Sequence, residues 1–432
     1  MRKLIRYLIL LALPIVTFGQ EYNFTTPPQF SDGIKPQWLQ EFYPAVRAEW
    51  FTYLDITLLL LAMSVTAWLL LKKRSRNGVF VVMLLSLLYF GFYRYGCICS
   101  VGSIQNVALA LFNPSQALSA ATLIFFLAPL VFTLFYGRVF CAGVCPLGAL
   151  QDLVQLKPLQ LPRWLEQALG IIPFIYLGLG VLYAATGSVF LICQYDPFVA
   201  FFRLSGTSTM LIGGAVILAI GTVVGRPYCR FLCPYSALLR ILGPLARWRV
   251  RITPTECIQC HLCADACPYN AINPPTPEPT AGKRAEGKKQ LALLLVLLPV
   301  LIIGGSYLGR AAAPTLAQLD HTVYTAQLVR AEIQLTGQIT RKSYETYAYA
   351  RTGKPASDIY KQAADIHTKF LLGSTILGGY IGLVFGVTLL GLAIRRRRLD
   401  YETDSSRCLA CGRCYDSCPF SHVETTPDEV KP

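Results

Sequence analysis

Charged residues are scarce in this 432-residue sequence. Only 15% of its residues are Asp, Glu, Lys or Arg, whereas 54% are hydrophobic. Soluble globular domains carry about 25% charged residues. The shortage of charge therefore excludes an ordinary soluble enzyme and predicts a polytopic membrane protein.

Histidine is also rare, with four residues in the chain, and the pattern Cys-x-x-Cys-His occurs once, at residues 257–261. That pattern is the attachment signature of c-type haem. Here its two cysteines belong to a longer run that continues with Cys263 and Cys267, so we expect no c-type haem.

Acidic residues are outnumbered, with 24 against 39 basic residues and a formal net charge of +15. The basic residues stand in short clusters beside apolar segments, as at 72–76 and 395–398. Lys and Arg accumulate in this way on the cytoplasmic side of membrane helices. We therefore interpret the charge as a topology signal and expect no nucleic-acid partner.

Cysteine, by contrast, is plentiful, with 15 residues. Residues 257–268 read CIQCHLCADACP and residues 408–419 read CLACGRCYDSCP. This spacing is typical of bacterial ferredoxins, in which three thiolates bind one [4Fe-4S] cluster and the fourth cysteine usually binds its neighbour. Zinc sites more often combine two Cys-x-x-Cys pairs or mix Cys with His. The sequence therefore predicts two [4Fe-4S] clusters.

The fourth cysteine of each run suggests how the ligands are shared. We expect the first cluster to be bound by Cys257, Cys260, Cys263 and Cys418, and the second by Cys408, Cys411, Cys414 and Cys267. The alternative, in which each run binds its own cluster, stays open. His261 lies between two ligands and is not expected to bind iron.

Apolar segments alternate with basic clusters along the chain. We expect an all-α polytopic membrane protein with about seven to eight transmembrane helices, a duplicated helix-pair core and a small cytoplasmic α+β ferredoxin module. The predicted order is a signal peptide or first helix at 1–19, a periplasmic segment at 20–50, the duplicated core at 51–250, ferredoxin half 1 at 251–273, a linker at 274–289, a transmembrane helix at 290–308, a periplasmic helical segment at 309–368, a transmembrane helix at 369–394 and ferredoxin half 2 at 399–432. Both halves then lie in the cytoplasm and can pair.

The core contains an internal repeat. Gly-Arg-x-x-Cys-x-x-x-Cys-Pro begins at Gly137 and again at Gly225, at an offset of 88 residues. Proline suits the first turn of a helix, so the second cysteine of each motif is expected near a helix N-terminus, where thiolate is favoured. A candidate redox site at the inner membrane face therefore comprises Cys141, Cys145, Cys229 and Cys233. Inert packing residues are the alternative.

A second group of cysteines is predicted at the outer face. It comprises Cys97, Cys99 and Cys193, with Asp196 nearby. These residues form a candidate metal or redox site. A disulfide plus one free thiol is the alternative, because thiols oxidise readily outside the cytoplasm. Arg138, Arg226 and Arg230 are interpreted as topology signals at inner helix ends, and compensation of thiolate charge at the two motifs is the alternative.

Two Cys-x-x-x-Cys-Pro motifs after membrane helices, combined with two ferredoxin runs, resemble the NosR/NapH membrane polyferredoxins. The segment from Leu319 to Val323 and the run around Cys411 are similar to the C-terminal part of NosR. NosR proteins support nitrous oxide reductase, and NapH proteins feed electrons to periplasmic nitrate reductase. The resemblance covers roughly residues 50–420.

One feature of NosR is missing from the pattern. NosR proteins carry a periplasmic domain with covalent FMN bound through a threonine, whereas this chain offers only a short outer segment at 20–50. Residues 119–122, SAAT, lack the glycine of a flavinylation motif. We therefore expect no covalent FMN and a separate flavoprotein partner.

The resemblance implies transmembrane electron transfer through iron–sulfur clusters in the bacterial inner membrane. The expected beneficiary is periplasmic nitrous oxide reductase, supplied with electrons or supported in maturation. The expected partners are that reductase or its maturation proteins and a cytoplasmic electron donor or quinol. The alternatives are a NapH-like quinol dehydrogenase component, a copper(II) reductase for oxidase assembly, or a redox-sensing assembly scaffold.

Overall fold

The computed structural model of the chain describes residues 48–96, 99–113, 116–156, 158–203, 206–252, 257–276, 281–337, 343–393 and 398–419. The predicted first segment at 1–19, most of the predicted outer segment and Cys97 lie outside these ranges.

Almost every described element is a helix. The first part of the chain forms α1 (Trp50–Leu71), α2 (Arg76–Ser86, continued by π-helical turns Leu87–Tyr93), α3 (Ser100–Phe112), α4 (Ala120–Tyr136), α5 (Val139–Gly143), α6 (Pro146–Val154), α7 (Arg163–Leu169), α8 (Ile172–Thr186), α9 (Leu191–Tyr195), α10 (Pro197–Arg203), α11 (Ser208–Val223), α12 (Pro227–Phe231) and α13 (Pro234–Leu242). The second part forms α14 (Leu262–Asp265), β1 (Ile272–Asn273), α15 (Ala281–Ala317), α16 (His321–Thr336), α17 (Tyr344–Arg351), α18 (Ala356–Ala393), β2 (Glu402–Thr403) and α19 (Arg413–Ser417).

Several of these helices can cross a membrane. Within the described ranges, five are long and apolar enough, or six if the bent pair α10 and α11 counts as one span. They are Trp50–Leu71, Arg76–Tyr93, Arg163–Thr186, Gly287–Ala317 and Ala356–Ala393. The apolar helix α4 has 17 residues and falls just short of the length needed. The helical membrane class is confirmed, whereas seven to eight spans remain a prediction.

The two long helices α15 and α18 pack along each other through glycine. A Cβ on Gly378 would collide with the carbonyl oxygen of Gly305, and one on Gly309 would collide with that of Ser374. Small residues permit this close backbone approach in membrane helix pairs. Helix α15 also begins eight residues before the end of the predicted linker at 274–289 and extends to Ala317, beyond the predicted 290–308. Within the predicted helical segment at 309–368, a break at Gly353 separates α17 from α18.

The chain folds back after each of the two repeated motifs. Asp152, near the end of α6, pairs with Arg76 at the start of α2. Cys145, just before α6, lines a cavity together with Tyr95 and Gly96. These two residues lie just past the C-terminal end of α2 and its π-helical turns. Helices α5 and α6 therefore form a short hairpin inside the bundle, and α12 and α13 repeat it.

The two ferredoxin halves join through a small antiparallel sheet. Ile272 pairs with Thr403 and Asn273 pairs with Glu402. Thr403 also donates a hydrogen bond of 2.7 Å to the carbonyl oxygen of Val250. Segments far apart in sequence thus form one module, which rests on the membrane core.

Candidate functional site

The two ferredoxin runs share one unusual backbone shape. In the first run Gln259 and His261 have φ values of 53° and 64°, and in the second Ala410 and Gly412, at the matching positions, have 51° and 75°. Positive φ is uncommon outside glycine and indicates a functional constraint when it recurs. Here the positive φ values curl each loop around its cysteines. A short helix follows directly, α14 in the first run and α19 in the second.

The first set of thiols, here called the distal quartet, surrounds one small pocket. That pocket is lined by the following four cysteines, with Ile252 and Tyr401 beside them: Cys257, Cys260, Cys263 and Cys418. Cys260 is exposed to solvent. The hydroxyl of Tyr401 forms a hydrogen bond with His261 Nδ1. The distal quartet therefore lies at the outer edge of the module.

The second set, here called the proximal quartet, lies on the side of the module that packs against the membrane core. Its members interact electrostatically with one another: Cys267, Cys408, Cys411 and Cys414. Cys267 accepts a hydrogen bond from Ala271 N at 3.4 Å, and Cys408 accepts one from Ala410 N at 3.4 Å. Burial raises the pKa of the Cys408 thiol to about 12. Iron binding therefore has to displace protons from these thiols.

These quartets fit [4Fe-4S] clusters. Each offers four cysteines, curled loops and peptide N–H donors aimed at sulfur, which are features that hold and tune such clusters. Among the described residues, no three His, Cys, Asp or Glu side chains are placed to bind a single metal ion. A cubane differs because each thiolate binds a different iron atom. In both quartets the fourth cysteine comes from the other run, and the binding of one cluster by each quartet stays a prediction.

A buried carboxylate, Asp152, attaches the module to the core. It is 1% exposed and pairs with Arg76 at 2.5 Å, Arg413 at 2.9 Å and Arg226 at 3.4 Å. Tyr269 also donates a hydrogen bond to it at 3.3 Å. Burial alone would raise the pKa of Asp152, but the guanidinium groups of Arg226, Arg76 and Arg413 lower it well below its usual range.

A second buried carboxylate, Glu166, makes a parallel set of contacts. It pairs with Arg230 of the core and with Arg407 of the second ferredoxin half, the latter at 3.4 Å. Asn270 of the first half donates a hydrogen bond to it at 3.2 Å. Asp152 and Glu166 therefore each link the core to both halves of the module.

The interpretation of Arg138, Arg226 and Arg230 as topology signals is wrong. Their exposed fractions are 3%, 0% and 8%, respectively, and each donates to a buried partner. Topology signals face water or lipid headgroups, whereas these arginines hold the repeated motifs and the ferredoxin module together. Charged groups buried in membrane proteins in this way are expensive and usually functional.

The cysteines predicted at opposite membrane faces are neighbours. A cavity of about 290 Å³ is lined by Cys99, Cys193 and Asp196 of the predicted outer group and by Cys145 of the predicted inner group. A Cβ on Gly102 would lie 3.2 Å from the sulfur of Cys193 and 3.9 Å from that of Cys99. The α5–α6 hairpin therefore brings Cys145 alone, of the four cysteines predicted at the inner face, beside the cysteines predicted at the outer face. Cys97 lies outside the described residues.

Helix α6 links the module to this cavity. Arg76 donates a hydrogen bond of 2.9 Å to the carbonyl oxygen of Cys411 in the proximal quartet and pairs with Asp152 of α6. The same helix begins directly after Cys145, which lines the cavity beside Cys99. The arrangement is suited to moving electrons between the module and the cavity.

Sequence reasoning missed the two carboxylates that attach the module. A signal was present, since residues 56–255 contain only three acidic side chains, Asp152, Glu166 and Asp196. All three are buried. An isolated acidic residue in an apolar membrane region is by default a candidate for function.

Comparison with known families finds three matches, each described as a 4Fe-4S binding domain. The first covers residues 118–171 and 208–253, which contain the two repeated motifs. The second covers 250–273 and the third 405–421, and each contains one complete ferredoxin run.

Curated relatives carry a similar core. YccM of Escherichia coli is 32% identical over 187 residues, which is 39% of this chain and 52% of that protein. Regulatory protein NosR of Pseudomonas aeruginosa is 30% identical over 230 residues, 47% of this chain and 30% of NosR. Methylamine utilization ferredoxin-type protein MauN of Methylobacillus flagellatus is 26% identical over 149 residues, 31% of this chain and 50% of MauN. The chain thus spans about half or less of the length of these relatives. No solved structure matches.

The fold and the site together define an iron–sulfur electron-transfer protein of the membrane. The relatives then narrow the class and support the resemblance seen in the sequence. Both the matched 4Fe-4S binding domains and the relatives NosR and MauN support a likeness to the NosR/NapH type of membrane polyferredoxins.

Proposed function

We propose that the protein carries single electrons across the bacterial inner membrane, with the ferredoxin module in the cytoplasm, and that it serves periplasmic nitrous oxide reductase as electron supply or in maturation. The observation that carries the proposal is that α6 runs from the docking site of the proximal quartet, at Asp152, to the cavity, at Cys145. The similarity to NosR supports the choice of reductase.

Each quartet would hold one [4Fe-4S] cluster, which supplies reversible one-electron chemistry when bound. The distal quartet has the exposed thiol Cys260 and is the side that a soluble donor can approach. The proximal quartet is held against the core, where Arg76 donates a hydrogen bond of 2.9 Å to the carbonyl oxygen of Cys411. Positive side chains at this junction offset the negative charge of a thiolate-bound cluster.

Electron transfer can be tested with the purified chain in liposomes that enclose ferricyanide. Dithionite added outside should reduce the enclosed ferricyanide when the protein is present. Replacing Cys263 with Ala should abolish this reduction, because it removes a ligand of the distal quartet. The exposed Leu262→Ala variant is a matched control and should retain it. Unchanged reduction by Cys263→Ala would contradict the proposal.

The sidedness of the module needs its own test. Leu399 beside the module is 72% exposed, and Tyr344 in α17 is 82% exposed. In intact cells a membrane-impermeant thiol reagent should label a Tyr344→Cys variant but not a Leu399→Cys variant. Labelling of Leu399→Cys from outside would place the module in the periplasm and reject the proposed direction.

The link to nitrous oxide reductase can be tested in the source organism. Deletion of the gene should lower nitrous oxide consumption by intact cells, and the Cys263→Ala gene should fail to restore it. Metal analysis of the isolated reductase then distinguishes electron supply from maturation, since only a maturation role lowers its copper content. Co-purification under mild conditions would identify the expected separate flavoprotein.

A second candidate function, quinol oxidation, is favoured by the cavity. Its walls combine the aromatic side chains of Tyr95, Phe125 and Phe202 with the buried carboxylate of Asp196. A small, mostly apolar cavity with one polar group suits a quinol head group. Reduction of the clusters by a water-soluble quinol, lost on Asp196→Asn substitution, would support this candidate over a cytoplasmic donor.

A further inference from the structure

Two cysteines from distant parts of the chain meet at the wall of the cavity. Cys99 directly precedes α3, and Cys193 lies in the five-residue helix α9. A Cβ on Gly102, in the first turn of α3, would lie 3.2 Å from the sulfur of Cys193 and 3.9 Å from that of Cys99. One point in space is thus within contact range of both sulfur atoms. Both residues are free thiols and close neighbours.

Helix α3 holds both members of this pair. The sulfur of Cys99 accepts a hydrogen bond of 3.3 Å from the backbone N–H of Gly102. The backbone N–H of Cys193 donates one of 3.1 Å to Oε1 of Gln105, which is 0% exposed. Both cysteines are therefore tied to the first two turns of one helix. Because a disulfide requires a narrow range of distances and angles, this shared anchor favours its formation.

The two thiols differ in their access to solvent. Cys193 is exposed, whereas Cys99 is half-buried. When a dithiol reduces a disulfide, one thiolate attacks the substrate and the second thiolate then attacks the mixed disulfide. Cys193 is placed for the first of these steps and Cys99 for the second.

The groups at this end of the cavity suit a disulfide better than a metal ion. Within the described ranges, no three His, Cys, Asp or Glu side chains are placed to bind one metal ion, whereas zinc sites use three or four protein ligands. Asp196 lines the same cavity, is 4% exposed and accepts a hydrogen bond of 3.0 Å from Phe198 N. A buried carboxyl group beside the two sulfur atoms is a source of the protons that reduction of a disulfide consumes.

Electrons have a route to this pair through the first repeated motif. Cys145 lines the same cavity as Cys99 and Cys193. It belongs to residues 118–171, which are part of the match to a 4Fe-4S binding domain. The proposed electron route therefore ends beside the two thiols.

We propose that Cys99 and Cys193 form a reversible disulfide with which the protein reduces disulfide bonds in the compartment outside the membrane. This inference rests on the proposed function, which supplies the electrons. Two electrons, delivered one at a time, and two protons convert the Cys99–Cys193 disulfide into two thiols. The substrate class is an accessible disulfide, in a small molecule or in a protein.

The exchange with the substrate balances without a further reagent. The thiolate of Cys193 attacks one sulfur atom of the substrate disulfide, and the other substrate sulfur leaves as a thiol. Cys99 then attacks the sulfur of Cys193 in the mixed disulfide, the second substrate thiol leaves, and the Cys99–Cys193 disulfide forms again. In sum, one substrate disulfide, two electrons and two protons give two substrate thiols.

The test is reduction of oxidised glutathione by the anaerobically purified full chain, with titanium(III) citrate as the source of electrons. The wild-type protein should release thiols above the protein-free background, measured with a chromogenic thiol reagent. Cys193→Ser and Cys99→Ser should lose this activity, and Cys263→Ala should lose it because electrons no longer enter through the distal quartet. The matched control is Cys97→Ser, which removes a thiol outside the pair and should retain the activity.

Insulin in place of glutathione distinguishes the two sources of substrate. Thiol release from insulin assigns the pair to protein disulfides, and release from glutathione alone assigns it to small molecules. Release from neither probe overturns the inference. Equal release by the wild-type protein and Cys263→Ala overturns it as well, because the clusters then do not supply the electrons.

Mass spectrometry keeps the test decisive if a variant does not fold. After treatment of the wild-type chain with oxidised glutathione, the peptides that contain Cys99 and Cys193 should be joined by a disulfide, and titanium(III) citrate should separate them. Alkylation of both thiols after this treatment, or a disulfide formed by Cys97 instead, overturns the inference. In that case the liposomes still reduce ferricyanide, whereas failure of the proposed function abolishes ferricyanide reduction and leaves formation of the disulfide intact.

Discussion

The distal and proximal quartets are built from runs of the same spacing and backbone shape, yet their surroundings differ. Around the distal quartet, Ile258 and Leu262 are 60% and 50% exposed. In the second run, Leu409 occupies the position that matches Ile258. It is 0% exposed and packs in the main hydrophobic core. The difference comes from docking of the module on the core through one side.

Docking of this kind assigns separate roles to two otherwise similar loops. Solvent exposure and hydrogen bonds to sulfur are among the features that set cluster potentials. The exposed distal quartet is open to a soluble partner, and the buried proximal quartet contacts the core through Arg76. The local cysteine motif thus determines which cluster a loop can bind. The position of that loop in the fold determines which electron-transfer partner can approach it.

The largest expected effect comes from removing two cysteine ligands at once, taken either from one quartet or from both. If ligands are shared between runs, the pair Cys267→Ala and Cys411→Ala damages one cluster, whereas Cys267→Ala and Cys257→Ala damages two. The first pair should therefore lose about four iron atoms and the second about eight, measured by iron analysis. The reverse order would show that each run binds its own cluster.

Loss of the carboxylate at Asp152 should weaken docking of the module. In Asp152→Asn, three arginines lose their buried anion, and removal of one member of a buried ion pair costs about 3–5 kcal/mol. Hydrogen exchange in the segment 257–276 should increase accordingly. The exposed Asp416, in α19, provides the control, because Asp416→Asn should have no measurable effect.

The same carboxylate predicts a pH dependence of docking. The pKa of Asp152 is lowered in the folded chain. The contribution of this carboxylate to docking is therefore complete above the pKa of about 4 that Asp has in the unfolded chain, and it is lost as the pH falls below that value. Docking measured by hydrogen exchange should therefore be constant between neutral pH and about pH 5. A loss near neutral pH would show that another group controls docking.

A smaller effect is expected at Glu166, because its ferredoxin partner Arg407 is 20% exposed and also pairs with Asp404. Glu166→Gln should destabilise the module by about 2–3 kcal/mol, since it leaves Arg230 buried without its anion. The same exchange measurement provides the comparison. An effect larger than that of Asp152→Asn would reverse the proposed ranking of the two attachments.

The smallest effect is expected at the distal quartet itself. Tyr401→Phe removes the hydrogen bond to His261 and should cost about 1 kcal/mol. Redox titration should show a small shift in the distal cluster and none in the proximal cluster. A larger shift in the proximal cluster would mean that the two environments are not independent.

Much of the fold was predictable because its signals are local. Apolar segments such as Trp50–Leu71 and the helix break near Gly353 follow from runs of adjacent residues. Helix α3 could not be predicted, because residues 100–112 mix small and polar residues with apolar ones. A helix start at the second cysteine of each motif was predicted, but its folding back into the bundle was not, because these helices are too short to register as spans.

By itself, the sequence determined the cluster-binding loops and the apolar helices, because cysteine spacing, left-handed backbone positions and hydrophobic runs act over a few residues. The tertiary structure alone decided that Asp152 and Glu166 attach the module and that Cys145 joins Cys99 at one cavity. Those contacts join residues far apart in the chain, as between Arg76 and Cys411, 335 positions apart. Burial makes these contacts specific, because a charged side chain inside the bundle is strongly unfavourable unless it is paired and hydrogen-bonded.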